Sequence, residues 1–537
     1  MWTYTLIAAV IVLWVIWRKR SFSVLKNLGI PGPEPNIFFG NALDLVWKKT
    51  PLESHKEWIK KYGKVVGFYL GTKPVVLITD VDILKKIQVS DFHKFMNRPN
   101  MFQGDRKPDE KRKRVEGFSQ HLIILRDKRW KEIRSILTPT FTASKMKQMA
   151  PIMNGAIDSL LKNVEKKSNR GEAFDIYPMY QGLTMDVIGR TAFGIQTDVQ
   201  NDPNDPFLRS ARILFSGDVR SIFFLLSVSF RKLESFWNQI GRLRLIFKNQ
   251  GTNPVTELIQ SVKDVIATRR KGKKSRRPDL LQLMMEAEVE DLSSVTSDDL
   301  TAKDDSETTE IQKTENSSSK LVRKMTDADI LDNSVLFFLA GYETTSTALA
   351  FTTHLLVQHP EIQEKVIEEV VQLLKTEGEL DYYSVSKLQY LDQVLLESLR
   401  VYPPIYLFVN REVAEDVDFG SFRLKKGLAI QVPVFSLHRD EDLWSDPEEF
   451  KPERFSTENK GKMNPLAFQA FGAGPRNCIG MRFALMEAKL ALARLLSKYR
   501  LKPCEKTESE PIPLKVSGAT INPKNGVHIK AVPHEIS

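Results

Sequence analysis

The chain has 537 residues, 42% of them hydrophobic, which is enough material for an extensive core. Two cysteines exclude a disulfide framework and place the body in a reducing compartment. The net charge of +11 is modest for this length and no nucleic-acid motif accompanies it, so the partners it fits are anionic lipid and an acidic protein, with no nucleic acid.

Residues 2–17 are uncharged and strongly apolar, and Arg18-Lys19-Arg20 follows at once. A helix over this run is about 25 Å long, close to the span of a thin bilayer. Basic residues on the C-terminal flank alone predict a single-pass anchor over 1–20, with the body cytosolic. A cleaved signal peptide would want a basic leading segment and a small-residue cleavage site, and neither is visible. Pro31, Pro33 and Pro35 stiffen the next stretch, so 21–36 reads as linker and hinge. Residues 65–70 and 75–78, separated by Gly71-Thr72-Lys73-Pro74, read as a hairpin. Helical patterns dominate from about 127 to 282, with a very apolar patch over 222–230. The basic run 269–277 reads as a solvated loop. The acidic, Ser/Thr-rich stretch 286–324 has almost no large apolar residues after Leu300, which predicts a disordered insert. Thr326 and Asp329 make a capping-box pattern before a long helix over 327–359, ended by Pro360. Helices over 361–374 and 390–400 follow, the second stopped by Pro403-Pro404.

Three stretches carry chemistry. Ala340-Gly341-Tyr342-Glu343-Thr344-Thr345 puts a glycine and two β-branched residues inside the long helix. Interior glycine costs about 1 kcal/mol against alanine, and threonine hydroxyls compete for backbone carbonyls. This turn is therefore expected to loosen into a groove; ordinary core with a tolerated glycine is the other reading. Glu397 and Arg400 stand three apart on one helix, by themselves a common surface ion pair. The run from Phe471 to Gly480, Phe-Gly-Ala-Gly-Pro-Arg-Asn-Cys-Ile-Gly, boxes Cys478 with glycines and opens onto an apolar-periodic helix. Free N–H groups and the dipole at a helix start favour the thiolate. With no second cysteine or histidine nearby, a zinc or iron–sulfur cage is disfavoured. A single axial thiolate on haem iron remains, beside a merely structural cysteine.

The last segment resembles the cysteine-ligand loop of the cytochrome P-450 superfamily at every fixed position of Phe-Gly-x-Gly-x-Arg-x-Cys-x-Gly. The resemblance implies a mainly α fold with small β-sheets: one large domain over 37–537, containing the 286–324 insert, behind the membrane anchor. It implies haem b with Cys478 as metal ligand and Phe471 beside it. Trp130, Arg134, Arg411 and Arg476 are implied to hold the propionates. By the family's oxygen-activation motif, Thr344 orients oxygen and a water, and Glu343 belongs to the proton-delivery chain. Glu397, Arg400 and Arg454 match a buried structural triad. The implied pocket is walled by Leu122, Ile123, Phe337, Phe338, Ala340, Ile405, Leu407, Ala519 and Thr520. The patch at 222–230 would dip into the membrane unless it is core. Arg126, Lys128, Arg129 and Lys131 would form a basic dock for an acidic flavoprotein. Several segments, Asp186 to Gly194 among them, are most similar to the drug- and steroid-oxidising family-three branch and to thromboxane synthase. The expected function is monooxygenation of lipophilic xenobiotics, steroids or fatty acids at the endoplasmic-reticulum membrane. Electrons would come from NADPH through a reductase, with cytochrome b5 as a further partner. Thromboxane-synthase-like isomerisation of an endoperoxide is the alternative; that enzyme lacks the threonine this chain keeps at 344.

Overall fold

The computed structural model describes residues 2–99, 120–195, 197–202, 205–215, 222–233, 236–237, 239–241, 243–244, 254–271, 279–286, 288–289 and 323–534. Helix α1 (Trp2–Ser21) is uncharged until its last turn, and it is long and apolar enough to cross a membrane. Its Arg18 is not simply a membrane flank. The guanidinium is buried and donates to the carbonyls of Ile37 at 2.8 Å and Phe38 at 2.6 Å, while Trp14 packs on Phe38. The end of α1 is thereby tied to the segment after the prolines.

The expected hairpin forms from β1 (Val65–Leu70) and β2 (Lys73–Ile78), with Pro74 drawn into β2 opposite Tyr69. β6 (Asn410–Glu412) and β7 (Ala429–Gln431) complete a four-stranded sheet in the order β1-β2-β7-β6, the β2/β7 pair being parallel. Helix α7 (Ile222–Ser229) sends Leu225 and Val228 into the core against this sheet and leaves Ile222 exposed. A Cβ at Gly71, φ +62°, would lie 2.0 Å from the Val228 carbonyl oxygen, so the hairpin turn and this helix touch backbone to backbone.

The main core is helical. It joins α3 (Asp127–Leu137), α4 (Ala143–Ser168), α5 (Tyr177–Phe193), α10 (Asp327–Gln358), α12 (Gln389–Val401) and α13 (Met481–Leu496). Between them lie α6 (Pro206–Phe215), α8 (Pro254–Lys271) and α9 (Leu280–Glu286). Helix α10 starts in the expected capping box: Thr326 Oγ1 accepts from the Asp329 N–H, and Asp329 accepts from the Thr326 N–H. It stays helical through 340–345, contrary to the loosening expected there. Gly341 serves close packing, since a Cβ there would come 3.1 Å from Ile188 Cδ1 on α5. The Thr344 hydroxyl donates to the Ala340 carbonyl at 2.7 Å as a second donor and displaces no helical turn.

The insert expected over 286–324 begins and ends in order. β4 (Glu288–Val289) and β5 (Arg323–Lys324) pair antiparallel, and 290–322 lies outside the described residues. β3 (Phe174–Asp175) joins β8 (Tyr499–Lys502) and β11 (His528–Pro533), and β9 (Leu514–Ser517) with β10 (Thr520–Pro523) makes a hairpin that reaches α10.

Candidate active site

The cysteine loop is shaped by its glycines. Gly472 and Gly474 adopt φ of +72° and +67°, where a side chain is strained. A Cβ at Gly474 would also stand 2.0 Å from the Gln88 carbonyl oxygen. The Cys478 N–H donates to the Phe471 carbonyl at 2.8 Å and closes the loop. Gln88 and Gln469 exchange amide hydrogen bonds of 2.9 and 3.0 Å beneath it. Gly474→Ala is expected to destabilise the fold by about 3 kcal/mol or more and to lower haem content, because strain and overlap act together. Thermal unfolding and pigment per chain check this; a variant matching wild type in both would contradict it.

Cys478 is crowded by protein yet keeps accessible surface, so it borders a space within the fold. Burial pushes its thiol up, while the Gly480 N–H and the charges of Arg134 and Arg98 pull it down. Helix-start N–H groups alone therefore do not secure the thiolate; a coordinating cation does so outright.

Around it stand four guanidinium groups, those of the buried Arg134, Arg411 and Arg476 and of the half-buried Arg98. Arg134 donates to the Asn477 carbonyl and side-chain oxygen. Arg476 donates to the carbonyls of Met96, Leu122 and Leu125, and lies 4.0 Å above the Trp130 ring. Arg411, on β6, donates to the carbonyls of Asn410 and Ala473. Arg98 donates to the Arg476 carbonyl. Among the described residues no carboxylate pairs with Arg98, Arg411 or Arg476, and the Nε atoms of Arg98 and Arg411 are buried without a partner. Burial lowers Arg98 to about 10, against the pull of Cys478. Burial and the neighbouring charge of Arg98 lower Arg411 to about 9, and burial with the surrounding arginines holds Arg476 well below its usual value. Burial also lowers Arg134 to about 10, against the opposing pull of Cys478. A concentration of buried positive charge like this calls for a ligand with two carboxylates, and haem with its propionates fits. Arg98 was missed from sequence: a lone arginine before Pro99 has no spacing that links it to the loop.

On α10, Phe337, Ala340 and Thr344 share one face by helical spacing, and Ala340 is the exposed member. Phe337 packs on Phe141. Phe338 points elsewhere, into the core between Phe193 and Phe207. Leu122 is tied to α10, since Asn333 Oδ1 accepts from its N–H at 2.9 Å, and Ile123 packs half-buried against the main core. Ile405 bridges Thr520, and the Tyr406 N–H donates to the Ala519 carbonyl, so the β9–β10 turn leans on 404–407, where Leu407 is buried. Glu343 is 2% exposed and sits on the flank of α10 that meets α5 and β10.

The structure brings Glu397, Arg400 and Arg454 together, and the pair is no surface contact. Arg400 and Glu397 are fully buried and joined by two bonds, Nε to Oε2 at 2.7 Å and Nη2 to Oε1 at 2.8 Å. Arg454 Nε reaches Glu397 at 3.2 Å. Arg400 also donates to the carbonyls of His438, Pro447 and Glu449. His438 is lowered to about 3 by burial and then by Arg400. It is therefore neutral: Nδ1–H donates to the Arg400 carbonyl and Nε2 accepts from the Gln469 N–H. Gln469 in turn accepts from the Gly472 N–H, which links the triad to the cysteine loop.

The expected basic dock is partly spent inside the protein. Arg126 pairs with Glu412, and Arg129 with Glu132 and Asp329, while Lys128 is exposed. A family model described as Cytochrome P450 matches residues 30–529. The chain belongs to the cytochrome P450 family. It is 34% identical over 537 residues to cytochrome P450 3A12 of Canis lupus familiaris, covering 99% of this chain and 97% of that one. It is 35% identical over 534 residues to cytochrome P450 3A9 of Rattus norvegicus, covering 99% and 96%. Cytochrome P450 3A29 of Sus scrofa is 33% identical over 534 residues, covering 99% and 97%. Membership makes this P450 a haem-thiolate monooxygenase of family-three type, supplied with electrons from NADPH through a reductase.

Proposed function

We propose that this P450 oxidises lipophilic small molecules of the xenobiotic, steroid or fatty-acid type, with Cys478 as the thiolate that would hold the haem iron. Arg98, Arg134, Arg411 and Arg476, with Trp130, would hold the propionates, and Phe471 lies at the loop's mouth. When bound, haem supplies oxygen activation, with the thiolate's electron push favouring O–O cleavage. The chain's own residues position and protonate. Thr344 presents a hydroxyl on the face it shares with Ala340, where it can hold a water against the reacting centre. Glu343 would supply protons from the neighbouring flank; burial raises its pKa above that of an ordinary carboxylate, and the bonds from Tyr177, Asn522 and Gln181 oppose that rise. Leu122, Ile123, Phe337, Ala340, Ile405, Leu407, Ala519 and Thr520 wall the pocket; Phe338 supports it from behind.

The observation that carries this reading is the pair of Thr344 on the accessible face and Glu343 held buried beside it. A thromboxane-synthase-like isomerase needs neither NADPH nor proton delivery, and the intact pair weighs against it. Thr344→Ala is expected to cut the fraction of NADPH electrons recovered in product by on the order of tenfold, the rest appearing as peroxide and water. Unchanged coupling, or turnover of an endoperoxide without NADPH, would favour the isomerase.

The proposed setting is the endoplasmic-reticulum membrane. Residues 1–20 would be the anchor, 21–36 the hinge and 37–537 the cytosolic catalytic domain. The dock for the acidic reductase, and for cytochrome b5, would centre on Lys128 and Lys131. Membrane lipid would contact α1 and the exposed Ile222.

A further inference from the structure

Glu343 is held by a closed ring of side chains from three elements. Tyr177, the first residue of α5, places its hydroxyl 2.9 Å from Glu343 Oε1 and 3.2 Å from Thr347 Oγ1. Thr347 Oγ1 lies 3.2 Å from Asn522 Oδ1 on β10, and Asn522 Nδ2 donates back to Glu343 Oε1 at 2.8 Å. Gln181 Nε2 stands 3.4 Å from Oε2. Thr347 is 0% exposed and Asn522 7%. The Tyr177 backbone is fixed as well, its N–H donating to Asp175, which also accepts from the Val527 N–H.

The ring satisfies both protonation states of the carboxyl. With Glu343 ionised, Tyr177 and Asn522 both donate to it. With Glu343 protonated, its O–H donates to the Tyr177 oxygen, the Tyr177 O–H turns to Thr347, and Thr347 donates to Asn522 Oδ1. No buried donor or acceptor in the ring is stranded in either state, which a buried acid that must cycle requires. We propose that Tyr177 is the positioning residue through which Glu343 takes up and gives up its proton, its hydroxyl turning between the carboxyl and Thr347. Each cycle releases one proton from the Glu343 carboxyl towards the pocket and returns one from solvent; Tyr177 keeps its own. The inference rests on the reading of Glu343 as proton donor given above. The other groups facing the ring are Lys515 on β9, which favours the ionised form, and the Tyr342 phenol on α10.

The test is the protonation midpoint of Glu343 in full-length holoprotein, read from its carboxylic C=O infrared band with Glu343→Gln as the spectral reference. Tyr177→Phe removes a donor to the carboxylate and is expected to move the midpoint up by about one pH unit. Thr347→Val removes the acceptor that the tyrosine needs when Glu343 is protonated, and is expected to move it down. Opposite shifts support the proposal. No shift, or two shifts of the same sign, overturns it, because a merely structural role gives no such pattern. If Tyr177→Phe does not fold, Thr347→Val decides alone, a downward shift supporting and any other result overturning. The reduced carbon monoxide spectrum of wild type is recorded separately: loss of its thiolate band would sink the haem reading while the midpoints still judge Tyr177.

Discussion

Replacing Cys478 by alanine is expected to abolish the strongly red-shifted Soret band that the reduced protein gives with carbon monoxide under thiolate ligation. The effect should be complete, because the chain has only one other cysteine to offer a thiolate. The second cysteine, Cys504, is engaged with Thr507 in the β8–β9 connection. The arginine set should still receive propionates, so some haem is expected to remain, with a blue-shifted band and no monooxygenase turnover. Burial disfavours a free thiolate at this position, so the metal and the sulfur anion depend on one another. A Cys478→Ala protein that kept the red-shifted band would refute the ligand assignment.

Arg400→Met is expected to cost about 3–5 kcal/mol of stability, the scale for breaking a buried pair by removing one partner. Methionine fills much of the volume but strands Glu397 beside Arg454 and takes donors from three backbone carbonyls. It also loosens His438, whose imidazole holds the Gln469 N–H, so the damage should reach the cysteine loop and appear as lost haem. Arg400→Lys should rescue little, since an ammonium cannot reproduce the fork that binds Glu397 twice. In a double-mutant cycle, Glu397→Gln with Arg400→Met should cost clearly less than the sum of the two, by on the order of 1–3 kcal/mol. Thermal or denaturant midpoints and haem per chain measure these quantities. Normal haem content and a midpoint near wild type in Arg400→Met would show the triad to be dispensable.

Much of the fold was legible because its signals are local. The capping box at Thr326, the stop at Pro360 and the turn at Gly71 each depend on a few neighbouring residues. Phe338 was misplaced by one position of helical phase. Its neighbour Phe337 is as apolar, and only the packing of Phe193 and Phe207 shows which ring turns inward. Gly341 invited the opposite error: its cost to an isolated helix is real, but contact with Ile188 outweighs it and the helix runs on. Arg126 and Arg129 read as free charge until Glu412 and Asp329, hundreds of residues away, were seen to meet them.

By itself the sequence determined the apolar first helix, the helical class, the glycine-framed Cys478 and hence the family, because hydrophobic period, turn chemistry and contiguous motif are written in consecutive residues. Only the tertiary structure decided that Glu397 and Arg400 are buried, that Arg98 joins the cationic cradle, and that Tyr177, Thr347 and Asn522 close around Glu343. Those properties depend on which distant segments exclude water from one another, and the energy of a charge or a hydrogen bond is set by that exclusion.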